Sequence, residues 1–291
     1  LTATAAPGAT ATPLPARDWG GSMVAWWNLE EASGPRAKTA GTCGTTTCTL
    51  TDTNTVTRGA GKEGAGPYAA QFAQAGNEYL TCAVGTCSAL NVANGDSLTV
   101  GCWAYGTGTT SAWPTVLQCT DGDLNGYSLY RGSAAASPLY FAVAASGAAG
   151  VVQSAPLSSA VWYHSVGRCN NATDAISVFI NGMPSGASGS WSEIDPSAGD
   201  FQISSLRVDE GWNGRLDECF VVKSALADVD ICRICSCGIT GSLCVCNATE
   251  RAAYADTGRN AACNSCGLAA CDAAAPGEPT PTPTPTRTAT P

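Results

Sequence analysis

The stretch VWYHSVGRCNNATDAISVFINGMP, Val161 to Pro184, reads as two β-strands and the turns that end them. WYHSVGRC (Trp162–Cys169) and AISVFING (Ala175–Gly182) place apolar residues against polar or small ones at the two-residue period of a strand. The Asn, Thr and Asp residues between them are turn formers. Asn181-Gly182 is a strong hairpin signal, because a type I′ turn needs positive φ at both central residues.

Outward from this hairpin the same pattern repeats. MVAWWNL (Met23–Leu29), SLTVGCWAY (Ser97–Tyr105), TVLQC (Thr115–Cys119), YSLYR (Tyr127–Arg131), PLYFAVA (Pro138–Ala144), DFQISS (Asp200–Ser205) and GRLDECFVV (Gly214–Val222) are strand-like. Gly, Asn, Asp and Ser clusters separate them, with no helical segment in between. Many short strands without helices predict an all-β fold, a two-sheet antiparallel jelly-roll sandwich. After Val222, SALADVDICRIC predicts a short helix, with Ser224 as N-cap and Leu226, Val229, Ile231 and Ile234 along one stripe.

Composition divides the chain into four parts: a Thr/Ala/Pro-rich arm over residues 1–17, the jelly roll over 18–224, a cysteine-rich module over 225–272, and a Pro/Thr-rich tail over 273–291. Both arms favour extended or polyproline conformations. With 44% apolar residues, the chain can bury a core. Its formal net charge of −9 leaves no basic stripe to displace phosphate counterions, which argues against nucleic acid. No apolar run approaches the roughly 20 residues of a spanning helix.

Sixteen cysteines set the compartment. That many free thiols would be a hazard in a reducing cytosol, so the count points to disulfides and an extracellular or cell-surface setting. The chain opens on Leu1 with no charged-then-apolar leader, which reads as a processed N-terminus or a fragment. Eight cysteines fall in the jelly roll: Cys43, Cys48, Cys82, Cys87, Cys102, Cys119, Cys169 and Cys219. Eight more fall at its C-terminal side: Cys232, Cys235, Cys237, Cys244, Cys246, Cys263, Cys266 and Cys271. Both sets are even, as closed disulfide sets would be. Cys43/Cys48 and Cys82/Cys87 read as loop staples; pairing among Cys102, Cys119, Cys169 and Cys219 is left open. Cys232-x-x-Cys235 and Cys263-x-x-Cys266 have zinc-knuckle spacing, but the oxidising setting favours bridges. A module of this size has little core, and each bridge adds about 2–4 kcal/mol. Asn171 and Asn247 head N-glycosylation sequons, and Thr280, Thr282, Thr284 and Thr286 are candidate O-glycosylation positions.

The chain resembles the laminin-G-like, concanavalin A-like jelly-roll domains of secreted proteins. The segments that carry the likeness are MVAWWNLEEASG, AQFAQAGNEYL, DSLTVGCWAY, the Val161–Pro184 hairpin and GWNGRLDECFVVKSALADVDI, covering about Gly21 to Ile234. The resemblance implies the sandwich. It does not choose a function, because this fold hosts lectins, enzymes, adhesins and structural modules.

Glycosidases on this sandwich carry carboxylates at alternating strand positions. No such run is present. Glu193-Ile194-Asp195 is followed by Pro196, and Asp209-Glu210 and Asp217-Glu218 are adjacent pairs expected to face opposite ways. His164, the only histidine, reads as a packing residue. A non-enzymatic protein is expected, with no required cofactor. Calcium has two candidate sites. Asp121, Asp123 and Asn125 in DGDLNGY match the start of a calcium loop, but Gly132 stands where the bidentate Glu belongs, so the segment reads as a hairpin turn. Glu31 and Asp217 are the second, on opening and closing strands that neighbour each other in the related domains.

Two roles remain. Self-assembly into a filament or surface layer would use the arms, since about 13 residues of polyproline II reach about 40 Å to a neighbouring copy. The alternative is carbohydrate binding or adhesion, with Trp113, Trp191 and Trp212, all in loop-like stretches, stacking on sugars. Assembly with copies of itself ranks slightly first.

Overall fold

In a computed structural model of the protein, residues 22–44, 47–62, 67–108, 113–121, 125–134, 136–146, 148–191, 193–207 and 209–237 are described. The chain runs through β1 (Met23–Trp27), β2 (Thr51–Thr53), β3 (Thr57–Ala60), β4 (Tyr68–Phe72), β5 (Tyr79–Cys82) and β6 (Leu98–Gly106). It continues through β7 (Thr115–Thr120), β8 (Gly126–Arg131), β9 (Leu139–Ala145), β10 (Ala148–Gln153), β11 (Trp162–Asn170) and β12 (Ala175–Ile180). The short β13 (Met183–Pro184), β14 (Gly189–Ser190) and β15 (Phe201–Ile203) precede β16 (Gly214–Val222) and the helix α1 (Asp228–Cys237).

These strands form the antiparallel two-sheet sandwich that the sequence predicts. The first sheet has the order β13-β12-β11-β6-β16-β4-β3, with β1 also on β16 and β14 on β12; the second has the order β10-β9-β8-β7-β15-β5-β2. The Asn181-Gly182 turn joins Ile180 to its partner Met183, with φ of 51° and 81°, the signs a type I′ turn requires. Inward residues of both sheets fuse into one core in which Trp27 stacks on Phe201 at 5.3 Å across the sandwich. Gly167 lets the sheets close: a Cβ there would stand 2.2 Å from Cδ2 of Phe141.

The two sheets differ on their outer faces. β6, β11 and β16 are buried on both sides, because the outer residues Val166, Phe179, Phe220 and Val222 pack under Leu226, Ile231 and Ile234. The helix starts three residues later than a cap at Ser224 predicts. Thr99 explains this: its hydroxyl donates to the Ser224 carbonyl and accepts from the Leu226 amide, holding the segment before the helix against β6. Ser224 is therefore not the cap; the Ala227 carbonyl takes the first helical bonds, from Asp230 and Ile231. Arg168 donates to Asp228 at 2.6 Å, anchoring an acidic first turn that suits the helix dipole. Among the described residues, no α-helix packs on the second sheet. Its edge strand β10 alternates exposed and buried residues.

Disulfides join Cys43 to Cys48, Cys82 to Cys87, and Cys102 to Cys219. Cys232 and Cys235 are also in disulfides, so neither is a zinc ligand. The closed set of eight expected in the jelly roll is corrected: Cys119 and Cys169 are free and buried. Burial pushes their thiols up, to about 12 and about 11. An even count carries no geometry, and these two sit among core apolar side chains.

Candidate functional site

The outer face of the second sheet holds a cleft of about 280 Å³. Strand register builds it in rows. Thr115, Tyr130 and Tyr140 are neighbours across β7, β8 and β9. One pleat further, Gln118, Ser128, Ala142 and Val151 form a second row, and Thr120, Gly126, Ala144 and Ala149 a third. Rows two residues apart are about 7 Å apart, so the face offers an aromatic end and a low floor of small residues.

The aromatic end is stacked. Tyr130 and Tyr140 lie parallel at 5.2 Å, and Trp113 stands edge-on to both at 5.9 and 5.7 Å. Trp113 is 48% exposed and lines the cleft, a large apolar surface facing water. On the β15 side the polar groups are locked. Gln118 Nε2 donates to Gln202 Oε1 at 2.9 Å, Gln202 Oε1 also accepts from the Leu206 amide, and Ser205 Oγ donates to Glu210. Arg207 pairs with Glu210 at 3.2 Å. A few fixed polar groups beside an apolar, aromatic concavity are the usual make-up of a small-molecule site.

The other two tryptophans expected to meet sugars do not line this cleft. Trp212 is 2% exposed within the core, its ring against Gly106. Trp191 is half-buried against the core and presses on Gly150. Sequence context marks all three as loop residues and does not tell a loop that covers the core from one that overhangs a sheet.

Asp121 closes the β7–β8 hairpin. Its carboxylate accepts from the Asn125 amide at 3.0 Å, from Asn125 Nδ2 at 3.2 Å and from Ala198 at 3.0 Å, as a turn residue does. Asp123 lies outside the described residues. Glu31 and Asp217, expected together, are not paired. Glu31 accepts from the Ala37 amide and sits 3.9 Å from Arg36, and it is Glu30 whose charge acts on Asp217. Among the described residues, no group of three or more His, Cys, Asp or Glu side chains is placed to hold a metal ion.

Asp217 and Glu218 also depart from simple alternation. The register of β16 against β6 shifts between Asp217 and Phe220, and Glu218 has φ of 53°, so an extra residue bulges there. Asp217 is fully buried; burial pushes its carboxyl to about 7, opposed by amide bonds from Lys62 and Glu218. Burial, then the charge of Asp217, pushes Glu218 to about 8. The pair lies on the first sheet, where Asp217 neighbours Trp103 of β6, away from the cleft. His164 stacks on Phe220, lies tilted against Trp103 and is held neutral by burial, at about 3.

Asn171 is half-buried at the β11–β12 turn. Asn247, Thr280, Thr282, Thr284, Thr286, Cys244, Cys246, Cys263, Cys266, Cys271 and both arms lie outside the described residues, as does the side chain of Cys237.

Known folds share this architecture. The botulinum neurotoxin serotype G binding domain superposes with a TM-score of 0.57 at 10% identity, over 77% of this chain and 52% of that one. The binding domain of Paraclostridial Mosquitocidal Protein 1 gives 0.56 at 13%, over 74% and 52%. Domain 4 of AbnA, a GH43 extracellular arabinanase from Geobacillus stearothermophilus solved with arabinotriose, gives 0.52 at 16%, over 72% and 96%. The chain thus spans about half of either toxin binding domain and nearly all of the arabinanase domain. No curated relative matches it. The family model described as the concanavalin A-like lectin/glucanases superfamily, laminin-G-like type, matches residues 74–232, more than half of the chain. The protein belongs to that superfamily, as a lectin-like jelly-roll domain.

Proposed function

We propose that this protein is a non-catalytic, extracellular carbohydrate-binding module whose cleft on the second sheet holds the sugar. The exposed Trp113, braced edge-on by the Tyr130–Tyr140 stack, carries the reading. An apolar ring face beside fixed amide and carboxylate groups suits a sugar, which is apolar on its ring faces and polar at its rim. The arabinanase domain solved with arabinotriose has the same fold and gives independent support. Disulfides among the described residues fit an oxidising exterior.

Self-assembly, ranked first from the sequence, rests on arms outside the described residues and gains no support from the rest. The test is affinity electrophoresis through gels containing soluble polysaccharides, arabinan among them. Wild-type protein should be retarded by at least one polymer and Trp113→Ala should run freely in that gel. Equal retardation of both would sink the cleft as the site.

A further inference from the structure

Among the described residues, three charged side chains line the cleft: Asp121, Arg207 and Glu210. Arg207 is the lone cation among them, and its charge is already paired. Glu210 holds it at 3.2 Å, and the pair is set by its own loop. The Glu210 amide donates to the Arg207 carbonyl, the Thr115 amide of β7 donates to the Glu210 carbonyl, and the Arg207 amide donates to Ser205 Oγ. The second carboxylate oxygen of Glu210 accepts from Ser205 Oγ, so the carboxylate is tethered from two sides. At the opposite end, Asp121 is fixed by three donors from Asn125 and Ala198. Asp195 adds a further negative charge there, its amide on the carbonyl of Ala144 in the cleft floor and its carboxylate on Ser146.

An anionic glycan entering this cleft meets carboxylates at both ends and a cation already neutralised. Like charges brought together in a site are penalised strongly enough to select partners. We infer that the cleft selects uncharged glycans, and that Glu210 sets this selection by neutralising Arg207. The inference rests on the proposed carbohydrate-binding function and adds the charge class of the ligand and a specificity-determining residue.

Matched polymers test it. Hydroxyethyl and carboxymethyl cellulose form one pair, and methyl-esterified and de-esterified homogalacturonan a second. Native and carboxymethylated β-glucan form a third. Each is cast in affinity gels at low ionic strength. The neutral member of any bound pair should be held at least tenfold more tightly. Glu210→Gln, nearly isosteric, should narrow that ratio by up to about fivefold, the scale of one exposed ion pair. Arg207→Gln should widen it. Carboxylated polymers held as tightly as neutral ones, or a ratio that Glu210→Gln leaves unchanged, would overturn the inference. Trp113→Ala separates the two levels. If it abolishes retention while the ratio fails, only the charge rule falls. If it changes nothing in a gel that retains wild type, the cleft reading falls and the charge rule with it.

Discussion

Replacing Asp217 by Asn should make the protein gain stability, relative to wild type, as the pH rises. Asp217 is fully buried with its carboxyl pushed to about 7, whereas an unfolded aspartate titrates near about 3.9. The folded protein therefore keeps a proton that the unfolded chain has already lost. The resulting stabilisation is complete below about pH 4 and drains away as pH climbs through about 7. Between pH 5 and 8 a single group with these two values contributes a loss of about 2–3 kcal/mol, at 1.36 kcal/mol per pH unit where only the folded form is protonated. That is a large share of a typical total of about 5–15 kcal/mol. Glu218, raised to about 8, acts in the same direction, and Glu30 and Lys62 are the other charged groups acting on Asp217. His164 works oppositely: held neutral to about 3, it costs stability as pH falls below about 6.5. The difference between wild type and Asp217→Asn cancels His164. Asparagine keeps an oxygen for the Lys62 amide, which now bonds the carboxylate at 3.0 Å. Urea unfolding with disulfides intact, at pH 5 and pH 8 and constant ionic strength, should show the variant gaining about 2–3 kcal/mol on wild type. Equal gaps at the two pH values would refute the buried-proton argument.

Other consequences follow from the same structure. Cys102→Ala with Cys219→Ala opens a bridge spanning 117 residues and should cost up to about 5 kcal/mol by loop-closure entropy, read from the urea midpoint. The five-residue staple Cys43–Cys48 should cost less than half of that when removed. Gly167→Ala drives a Cβ into the Phe141 ring and should destabilise by about 1–3 kcal/mol, visible as a lowered thermal midpoint. Cys119 and Cys169, buried and with raised thiol values, should resist a thiol reagent at neutral pH in the native protein and react at once in denaturant. Rapid native labelling of either would show that its burial is wrong.

What the sequence told, it told through local chemistry. The period-two pattern and the Asn181-Gly182 turn are one-dimensional signals, and the hairpin built on them is present as read. The β10 segment AAGVVQ escaped, because small residues on an edge strand carry little alternation. The helix start was misplaced because Thr99, more than 120 residues away, ties down the segment before it. The Asp217-Glu218 pair sits at a bulge that interrupts strand alternation, a feature no local pattern announces, and burial raises both carboxyls there. Of the candidate sugar-stacking residues Trp113 lines the cleft. Its partners Tyr130 and Tyr140 sit on strands and pass for ordinary sheet residues until register puts them side by side.

Isothermal titration of wild type and Trp113→Ala with a polysaccharide retained in the gel screen tests the central claim most directly. Trp113 is the exposed anchor of the aromatic end, and removing such an anchor costs about 2 kcal/mol or more, roughly a thirtyfold loss in affinity. The account predicts that loss with an unchanged melting temperature, since the side chain is half exposed and its neighbours stack without it. Affinity within twofold of wild type in a folded Trp113→Ala protein would contradict it.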